Sequence, residues 1–383
     1  AYVSFQLFFS LYFPLNDCRS FPGSVYAWST KTELLKLIAY FFIFFSVSNL
    51  IRTHRRVNRI LFFIIGTGFV MGIFYLVRYF GIPAPRGLIN KDHYSGYLAM
   101  VVCVALGFLF VPIAEHGRES HRSSPHFMVF FSATVMASAL FCTHSRGGMF
   151  SFIAALIFMM ALAFSKESLR SKSWIFFIVM AAIGLTLLWI GIEPILQRIA
   201  TIQVEITSRY FGGRVPIWQT ALNIAKDYPA FGSGFGTFGN LSGKYEPFRT
   251  PHWYSHAHCD FLEFISDTGV IGFSIIFILC LVYMAIALRG FINRHDPIVL
   301  GVSVGLFGAL AAIFFHSFTD FNLRIPSQAV LSAILLALLL NILKLNLKAS
   351  NGKELSVIDL SGFIKFRFVK AITSFFIVVL MSV

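Results

Sequence analysis

Arg146 and a cluster of histidines are the residues of this sequence whose positions most suggest chemistry. Arg146 lies in the short stretch Thr143-His-Ser-Arg-Gly-Gly148, between two long apolar runs. An ionisable residue at membrane depth is costly to keep there, so such residues are functional candidates. Guanidinium pairs with phosphate or carboxylate through two parallel hydrogen bonds. We expect Gly147 and Gly148 to leave an open face beside Arg146, so the turn is predicted to bind an anion.

The histidine cluster reads His252-Trp-Tyr-Ser-His-Ala-His-Cys-Asp260. A histidine at the rim of a membrane helix can act as a general base near neutral pH. His256 and His258 with Asp260 also suggest zinc, but their spacing suits a strand better than a helix and no further ligand is evident. The sequence therefore favours a base over a metal site.

Two further stretches, 85–94 and 316–326, carry polar residues next to apolar runs. A single histidine at such a place is more often a helix cap than a catalyst, so we predict that these side chains line or shape a substrate site. Together with His256, the predicted substrate-binding residues are Arg86, Lys91, His93, His316, Asp320 and Arg324.

Gly234, Gly236 and Gly239 form a G-x-G-x-x-G pattern. No strand precedes the pattern and no βαβ unit is available, which excludes a dinucleotide site. Two interpretations remain open. The glycines could present backbone N–H groups to a phosphate, or they could form a flexible turn packed on the membrane surface.

The elements that must position these residues are membrane helices. Of the 383 residues, 57% are hydrophobic and 13% are charged, against about 25% charged in soluble domains. This composition excludes a soluble, disordered or disulfide-stapled chain. Apolar runs long enough to span a membrane are too long for barrel strands, so the predicted fold is an all-α polytopic transmembrane helix bundle of about 10–12 helices. The ten runs lie at 33–51, 60–80, 94–113, 126–143, 148–165, 173–192, 269–288, 297–315, 326–343 and 363–383.

The chain divides into N-terminal membrane helices (1–192), a long external loop with catalytic elements (193–268) and C-terminal membrane helices (269–383), with both ends predicted to be truncated. In the loop, 194–210 is predicted as an interfacial amphipathic helix and 215–227 as a second helix. Sixteen Lys and Arg residues lie in one set of alternate connections and seven in the other, the long loop excluded. The richer set is predicted to face the cytoplasm, which places the polar stretches outside.

The net charge of +14 is explained by cytoplasmic turns that meet anionic lipid head groups. No basic patch interleaved with aromatic residues is present, so membrane lipids are predicted partners and nucleic acid is not.

Over about residues 30–345, these stretches resemble the O-antigen ligase and O-antigen polymerase superfamily of bacterial inner-membrane glycosyltransferases. The strongest piece is His258-Cys259 followed after nine residues by Gly269-x-x-Gly272, which resembles the ligase pattern except at Cys259. Looser matches occur elsewhere in the chain, in the same order as in the family. One of them has Asp92 where the family has Asn. They are the segments 90–98, 145–148, 214–234 and 316–326.

The resemblance implies a glycan donor carried on undecaprenyl pyrophosphate and an acceptor outside the cytoplasm, with no nucleotide sugar and no cofactor. A pyrophosphate leaving group needs fixed positive charge, so Arg146 and Arg214 are assigned to it in place of a metal. His258 is assigned as the base that activates the acceptor hydroxyl. Direct displacement at the anomeric carbon would invert its configuration.

The acceptor separates the members of the superfamily: lipid A core for a ligase, a lipid-linked glycan for a polymerase, or a protein serine or threonine for an O-oligosaccharyltransferase. The spacing from His258 to Gly269 favours a ligase. An alternative of another class is a polysaccharide or lipid transporter. It is disfavoured because transporters place charged residues near the bilayer midplane and often have two related halves, whereas these polar residues lie at one face.

Overall fold

The computed structural model describes residues 1–12, 22–51, 53–82, 90–111, 125–190, 214–247 and 253–344. Arg86, the predicted helix at 194–210 and the predicted span at 363–383 lie outside these residues. The described part contains helices and no strand. The helices are α1 (Tyr2–Tyr12), α2 (Ala27–Leu50), α3 (His54–Tyr79), α4 (Lys91–Leu109), α5 (Pro125–Cys142), α6 (Arg146–Phe164), α7 (Glu167–Arg170), α8 (Trp174–Ile190), α9 (Arg214–Asp227), α10 (Phe238–Tyr245), α11 (Asp260–Ile292), α12 (Pro297–His316) and α13 (Pro326–Lys344), with a 3₁₀ turn at Asn322–Arg324.

Eight helical segments in the described part are long and apolar enough to cross a membrane, and α5 is an apolar helix just below that length. The prediction of an all-α polytopic helix bundle is therefore confirmed. The eight segments are Ala27–Leu50, His54–Tyr79, Lys91–Leu109, Arg146–Phe164, Glu167–Leu185, Asp260–Ile292, Pro297–His316 and Pro326–Lys344.

Helices α4 and α12 form the centre of the bundle. Both are buried along most of their length, whereas few residues of α2 are buried. The two central helices cross closely, because a Cβ atom added to Gly107 would lie 2.3 Å from the Cα atom of Gly305. Small residues at such crossings let membrane helices approach each other. The first turn of α4 and the last turn of α12 thereby come to lie at the same end of the bundle.

The described part of the external loop packs through a small apolar cluster of its own. Side chains of α9 and α10 meet there, and Ala257 from the histidine segment is fully buried between them. The cluster holds Ile217, Ala221, Ile224, Tyr228, Phe238, Leu241 and Ala257. Burial of Ala257 fixes the backbone on which His256 and His258 stand.

Helix α11 is broken at Gly269, where the predicted span begins. Gly269 has φ 62° and ψ −175°, which is not helical, and such a positive φ favours glycine. A Cβ atom at Gly269 would lie 2.4 Å from the carbonyl oxygen of Ala230, and one at Gly232 would lie 2.3 Å from the backbone of Asp267. The nine residues before the break form a separate buried helical segment that packs against the loop.

Candidate active site

The first turn of α4 brings the two predicted phosphate-binding arginines to one place. The Ser145 hydroxyl donates a hydrogen bond to Asp92 Oδ1 at 2.5 Å. Arg214 Nη2 lies 3.6 Å from Asp92 Oδ2. Since Ser145 immediately precedes Arg146, both arginines begin their helices beside the Asp92 carboxylate.

Arg146 is the first residue of α6, and Arg214 is the first residue of α9. The N-terminus of a helix carries partial positive charge and unpaired N–H groups, so it favours anions. Ser145 caps α6 by accepting a hydrogen bond from the N–H of Gly148 at 3.3 Å. Both arginine side chains are partly exposed, so an anion from outside can reach them.

The prediction that Gly147 and Gly148 leave an open face is wrong. A Cβ atom at Gly148 would lie 2.1 Å from the Ser95 hydroxyl oxygen, and one at Gly147 would lie 2.4 Å from that of Thr319. The two glycines instead admit neighbouring elements, so that α6 packs closely against α4 and against the segment after α12.

Gly148→Ala is expected to lower the free energy of unfolding by about 1–3 kcal/mol, the usual cost of overpacking a filled site. The matched control is Gly66→Ala in α3, where an added Cβ atom meets nothing within 4 Å. The control should keep or slightly raise stability, because alanine favours a helix over glycine. Thermal unfolding of both variants in detergent checks the prediction, and equal melting temperatures would contradict it.

His258 forms a pair with Asp320, 62 residues further along the chain. His258 Nδ1 lies 3.1 Å from Asp320 Oδ1. The histidine has φ 50°, a sparsely populated conformation for a non-glycine residue that neighbouring contacts must stabilise. Its side chain is 28% exposed, whereas that of Asp320 is 1% exposed. The imidazole therefore reaches the surface while its carboxylate partner stays buried.

Asp320 is held in its ionised form. Burial alone would raise its pKa, but hydrogen bonds from His258 and His93 outweigh burial and keep the pKa of Asp320 well below its usual range. The stabilisation that Asp320 provides is therefore complete above about pH 4 and is lost as the pH falls below that value. An ionised carboxylate only accepts hydrogen bonds, so Nδ1 of His258 is the donor to Asp320. In the neutral imidazole with that tautomer, Nε2 is the nitrogen that can accept a proton.

His93 and His316 both contact Asp320, the second through its carbonyl, which accepts from the Asp320 N–H at 3.0 Å. His93 Nδ1 lies 3.4 Å from Asp320 Oδ2 and 3.3 Å from Asn322 Oδ1. His316 is 1% exposed, and neither of its ring nitrogens has a hydrogen-bond partner among the described residues. Both histidines are too buried to be the first contact of a substrate, so their placement favours shaping the site.

Arg324 lies in a cluster of buried carboxylates. Its Nη2 atom is 2.6 Å from Asp267 Oδ2, and its Nε atom is 3.1 Å from Glu263 Oε1. Glu33 from α2 is 3.9 Å away, and the guanidinium stacks over Phe235 at 4.2 Å. Burial alone would lower the pKa of Arg324, but the surrounding carboxylates raise it. This arginine binds the protein's own anions, which favours a structural role over contact with phosphate.

The glycine pattern at 234–239 binds an anion, but an internal one. The N–H groups of Gly236 and Phe238 donate to the Asp267 carboxylate at 2.7 and 3.2 Å, and the N–H of Gly234 donates to the Asp267 carbonyl at 3.0 Å. These donors are occupied, so the interpretation of this loop as a phosphate site is wrong. The loop is a backbone nest that ties the external loop to α11.

His256 and Lys91 complete the predicted set. His256 Nδ1 lies 3.0 Å from Glu263 Oε1, and its ring stacks on Phe321 with centroids 4.3 Å apart. Lys91 is exposed at the start of α4. Within the described ranges, no three His, Cys, Asp or Glu residues are arranged to hold a metal ion.

Sequence reasoning missed the carboxylates that position the basic residues. Asp92 contacts Arg214, while Glu263 and Asp267 contact Arg324. The signal was available, since an acidic residue next to an apolar span is costly unless it is paired. Which base each acid contacts depends on tertiary packing.

Comparison with known proteins gives one family match. Residues 131–277 match the family described as O-antigen ligase. No curated protein matches the chain. The matched segment contains Arg146, Arg214 and His258. The match confirms that the chain carries the O-antigen ligase family's domain, and it supports the chain's place in the O-antigen ligase and polymerase superfamily.

Proposed function

We propose that the protein is an inverting, metal-independent O-antigen ligase of the bacterial inner membrane. It transfers a glycan from undecaprenyl pyrophosphate to lipid A core at the periplasmic face. Three contacts with the first turn of α4 carry the proposal: Ser145, which precedes Arg146, and Arg214 both contact Asp92. Asp320, the partner of His258, lies against His93. A positively charged anion site and an oriented base are the two parts that this reaction requires.

The proposed reaction is one displacement at the anomeric carbon of the donor. An acceptor hydroxyl oxygen forms the new bond, and the bond from that carbon to the pyrophosphate oxygen breaks. His258 Nε2 takes the hydroxyl proton, and the ionised Asp320 stabilises the resulting imidazolium. The electron pair leaves on the pyrophosphate, whose additional negative charge is stabilised by Arg146 and Arg214.

The choice of lipid A core as the acceptor rests on one sequence feature. The spacing from His258 to Gly269 favours a ligase, and that segment forms the buried helical turn and the break at Gly269. Polymerases of the same superfamily would use a lipid-linked glycan as acceptor. A ligase and a polymerase therefore differ in which molecule receives the oligosaccharide.

The test uses the full-length protein in detergent with an undecaprenyl-pyrophosphate oligosaccharide, lipid A core and excess EDTA. Attachment of the oligosaccharide to lipid A core supports the proposal. Lengthening of the lipid-linked glycan instead would assign the protein as a polymerase. Movement of the donor across the bilayer without bond formation, measured after reconstitution of the protein into vesicles, would assign it as a transporter.

Arg146→Ala and Arg214→Ala are each expected to lower the rate of transfer by about 10²–10³-fold, because each removes a positive group from the place where negative charge develops. The lysine variants should recover only part of the loss, since an ammonium group cannot pair with phosphate bidentately. Arg170→Ala, at an exposed position in α7, is the matched control and should keep the full rate. Wild-type rates for both alanine variants would contradict the assignment.

A further inference from the structure

The Asp92 carboxylate lies beside both arginines that the proposed function assigns to the pyrophosphate. Its Oδ1 atom accepts a hydrogen bond from Ser145, the residue before Arg146, at 2.5 Å. Its Oδ2 atom lies 3.6 Å from Arg214 Nη2. A phosphate that paired with Arg214 would therefore come close to a negative charge of the protein itself.

The contact between Asp92 and Arg214 is open and loose. A distance of 3.6 Å is too long for a hydrogen bond, and the two side chains are 20% and 26% exposed respectively. The pair of Arg324 and Asp267 is the opposite case, at 2.6 Å with side chains 4% and 0% exposed. Arg214 can therefore turn to another anion without breaking a hydrogen bond to Asp92.

Asp92, in contrast, is held in place. The hydrogen bond from Ser145 fixes one carboxylate oxygen, and Ser145 is itself fixed as the cap of α6. The backbone N–H of Asp92 donates to the side chain of Asn90, the cap of α4, at 2.9 Å. A phosphate at Arg214 would therefore draw the guanidinium toward itself and leave the carboxylate behind. Like charges that remain this close repel each other.

This repulsion acts most strongly on the product of the proposed reaction. Breaking the bond to the anomeric carbon leaves the pyrophosphate with an additional negative charge. The arginines that stabilise this charge would also hold the product tightly, and product release limits turnover in many enzymes. A fixed carboxylate beside them lowers the affinity for the more highly charged species, and it pairs with Arg214 again once the product has left.

We propose that Asp92 competes with the pyrophosphate group for Arg214 and thereby promotes release of undecaprenyl pyrophosphate after transfer. The inference rests on the proposed function. In the opposite role, Asp92 would orient Arg214 toward the donor and so strengthen anion binding. The two roles predict changes of opposite sign in product affinity when the charge of Asp92 is removed.

The test measures binding of the product to the full-length protein in detergent, without turnover. Asp92→Asn removes the charge but keeps an oxygen that accepts from Ser145, so the fold should be retained, which thermal unfolding checks. In isothermal titration calorimetry, undecaprenyl pyrophosphate should bind Asp92→Asn about tenfold more tightly than wild type, the scale of one close pair of like charges. Its inhibition constant in the transfer assay should fall by the same factor. Unchanged or weaker binding would overturn the proposal.

Asp227→Asn controls for a general effect of charge in the external loop. Asp227 ends α9, which Arg214 begins, so the two lie about 20 Å apart along the helix. Exposed charges that far apart are largely screened at physiological salt. The variant keeps an oxygen that can accept from Tyr245 and should bind the product as wild type does. A gain as large as that of Asp92→Asn would overturn the proposal.

Arg214→Ala separates failure of this proposal from failure of the proposed function. It should bind undecaprenyl pyrophosphate at least about tenfold more weakly than wild type, because a cation is lost from the site. If it binds as wild type does, the anion site is wrong and the role of Asp92 is overturned with it. If it binds more weakly while Asp92→Asn matches wild type, the anion site stands and only the role of Asp92 is overturned.

Discussion

Replacing His258 with alanine is expected to lower kcat for glycan transfer by about 10²–10⁴-fold, the usual contribution of a positioned general base. The imidazole is the partly exposed member of a pair whose carboxylate is buried. Its removal leaves the acceptor hydroxyl without a group to take its proton. Donor binding, which is assigned to the arginines in the proposal, should be little affected.

Asp320→Asn should also lower kcat for glycan transfer, although His258 itself is retained. An amide can donate to Nδ1, and it would then hold the imidazole with its proton on Nε2. In that tautomer Nε2 cannot accept the hydroxyl proton. A fall in kcat with the donor KM little changed would show positioning of His258, whereas a merely destabilised protein would lose active sites without this pattern.

Both variants are to be measured by steady-state transfer kinetics, together with thermal unfolding in detergent. The control is His295→Ala, an exposed histidine in the turn between α11 and α12. It should keep wild-type kinetics. If His258→Ala transfers glycan at the full rate, the base is another group, even where the family is correct.

Most of the helices could be predicted from hydropathy because a span must bury some 20 apolar residues in lipid. The start of α11 could not. Residues 260–268 include Asp260, Glu263 and Asp267, which lower the hydropathy of a segment that is nonetheless helical and buried. Its acids are satisfied by other parts of the chain, among them Ser317, which donates to Asp260 at 2.7 Å. Hydropathy along the chain does not contain that information.

The sequence predicts which residues belong to the candidate site better than it predicts which of them contact each other. Charge asymmetry placed the polar stretches on one side, and the helices bring those within the described residues together. The sequence predicts Asp320 only as a substrate-binding residue, because a single acid after an apolar run has no distinguishing pattern. Its importance depends on His258 and His93, which lie far away in sequence. The roles assigned to these residues stay predictions until the variants are measured.

The glycines show a different limit of sequence reasoning. A glycine pair beside an arginine indicates either an open surface or close packing, and the pattern is the same in both cases. Gly147 and Gly148 are of the second kind, since Thr319 and Ser95 occupy the space that side chains would need. Only the neighbouring elements distinguish the two.

Arg324→Ala is expected to cost about 3–5 kcal/mol in the free energy of unfolding, because removing one partner of a buried ion pair leaves an uncompensated charge. Two fully buried carboxylates, Glu263 and Asp267, would lose their cation. The apparent melting temperature in detergent should fall by roughly 4–6 °C. The melting temperature of Arg324→Lys should lie between those of the wild type and Arg324→Ala, since one ammonium group cannot reach both acids as the planar guanidinium does.

Arg289→Ala removes an exposed arginine on α11 and should leave the melting temperature unchanged. A triple variant, Arg324→Met with Glu263→Gln and Asp267→Asn, separates charge from shape. It leaves neither position 263 nor position 267 with an unpaired charge, so it should be more stable than Arg324→Ala. Equal melting temperatures for wild type and Arg324→Ala would contradict the structural role.

The cluster around Arg324 also determines where the candidate base stands. Glu263 binds both this arginine and the segment that carries His258, through the N–H of Ala257 and the ring of His256. Arg324→Lys should therefore lower kcat at temperatures where the protein is still folded, because Glu263 is held less firmly. An unchanged KM for the donor in the transfer kinetics of Arg324→Lys would contradict direct phosphate binding by Arg324. A raised donor KM at full stability would instead return Arg324 to the substrate-binding residues.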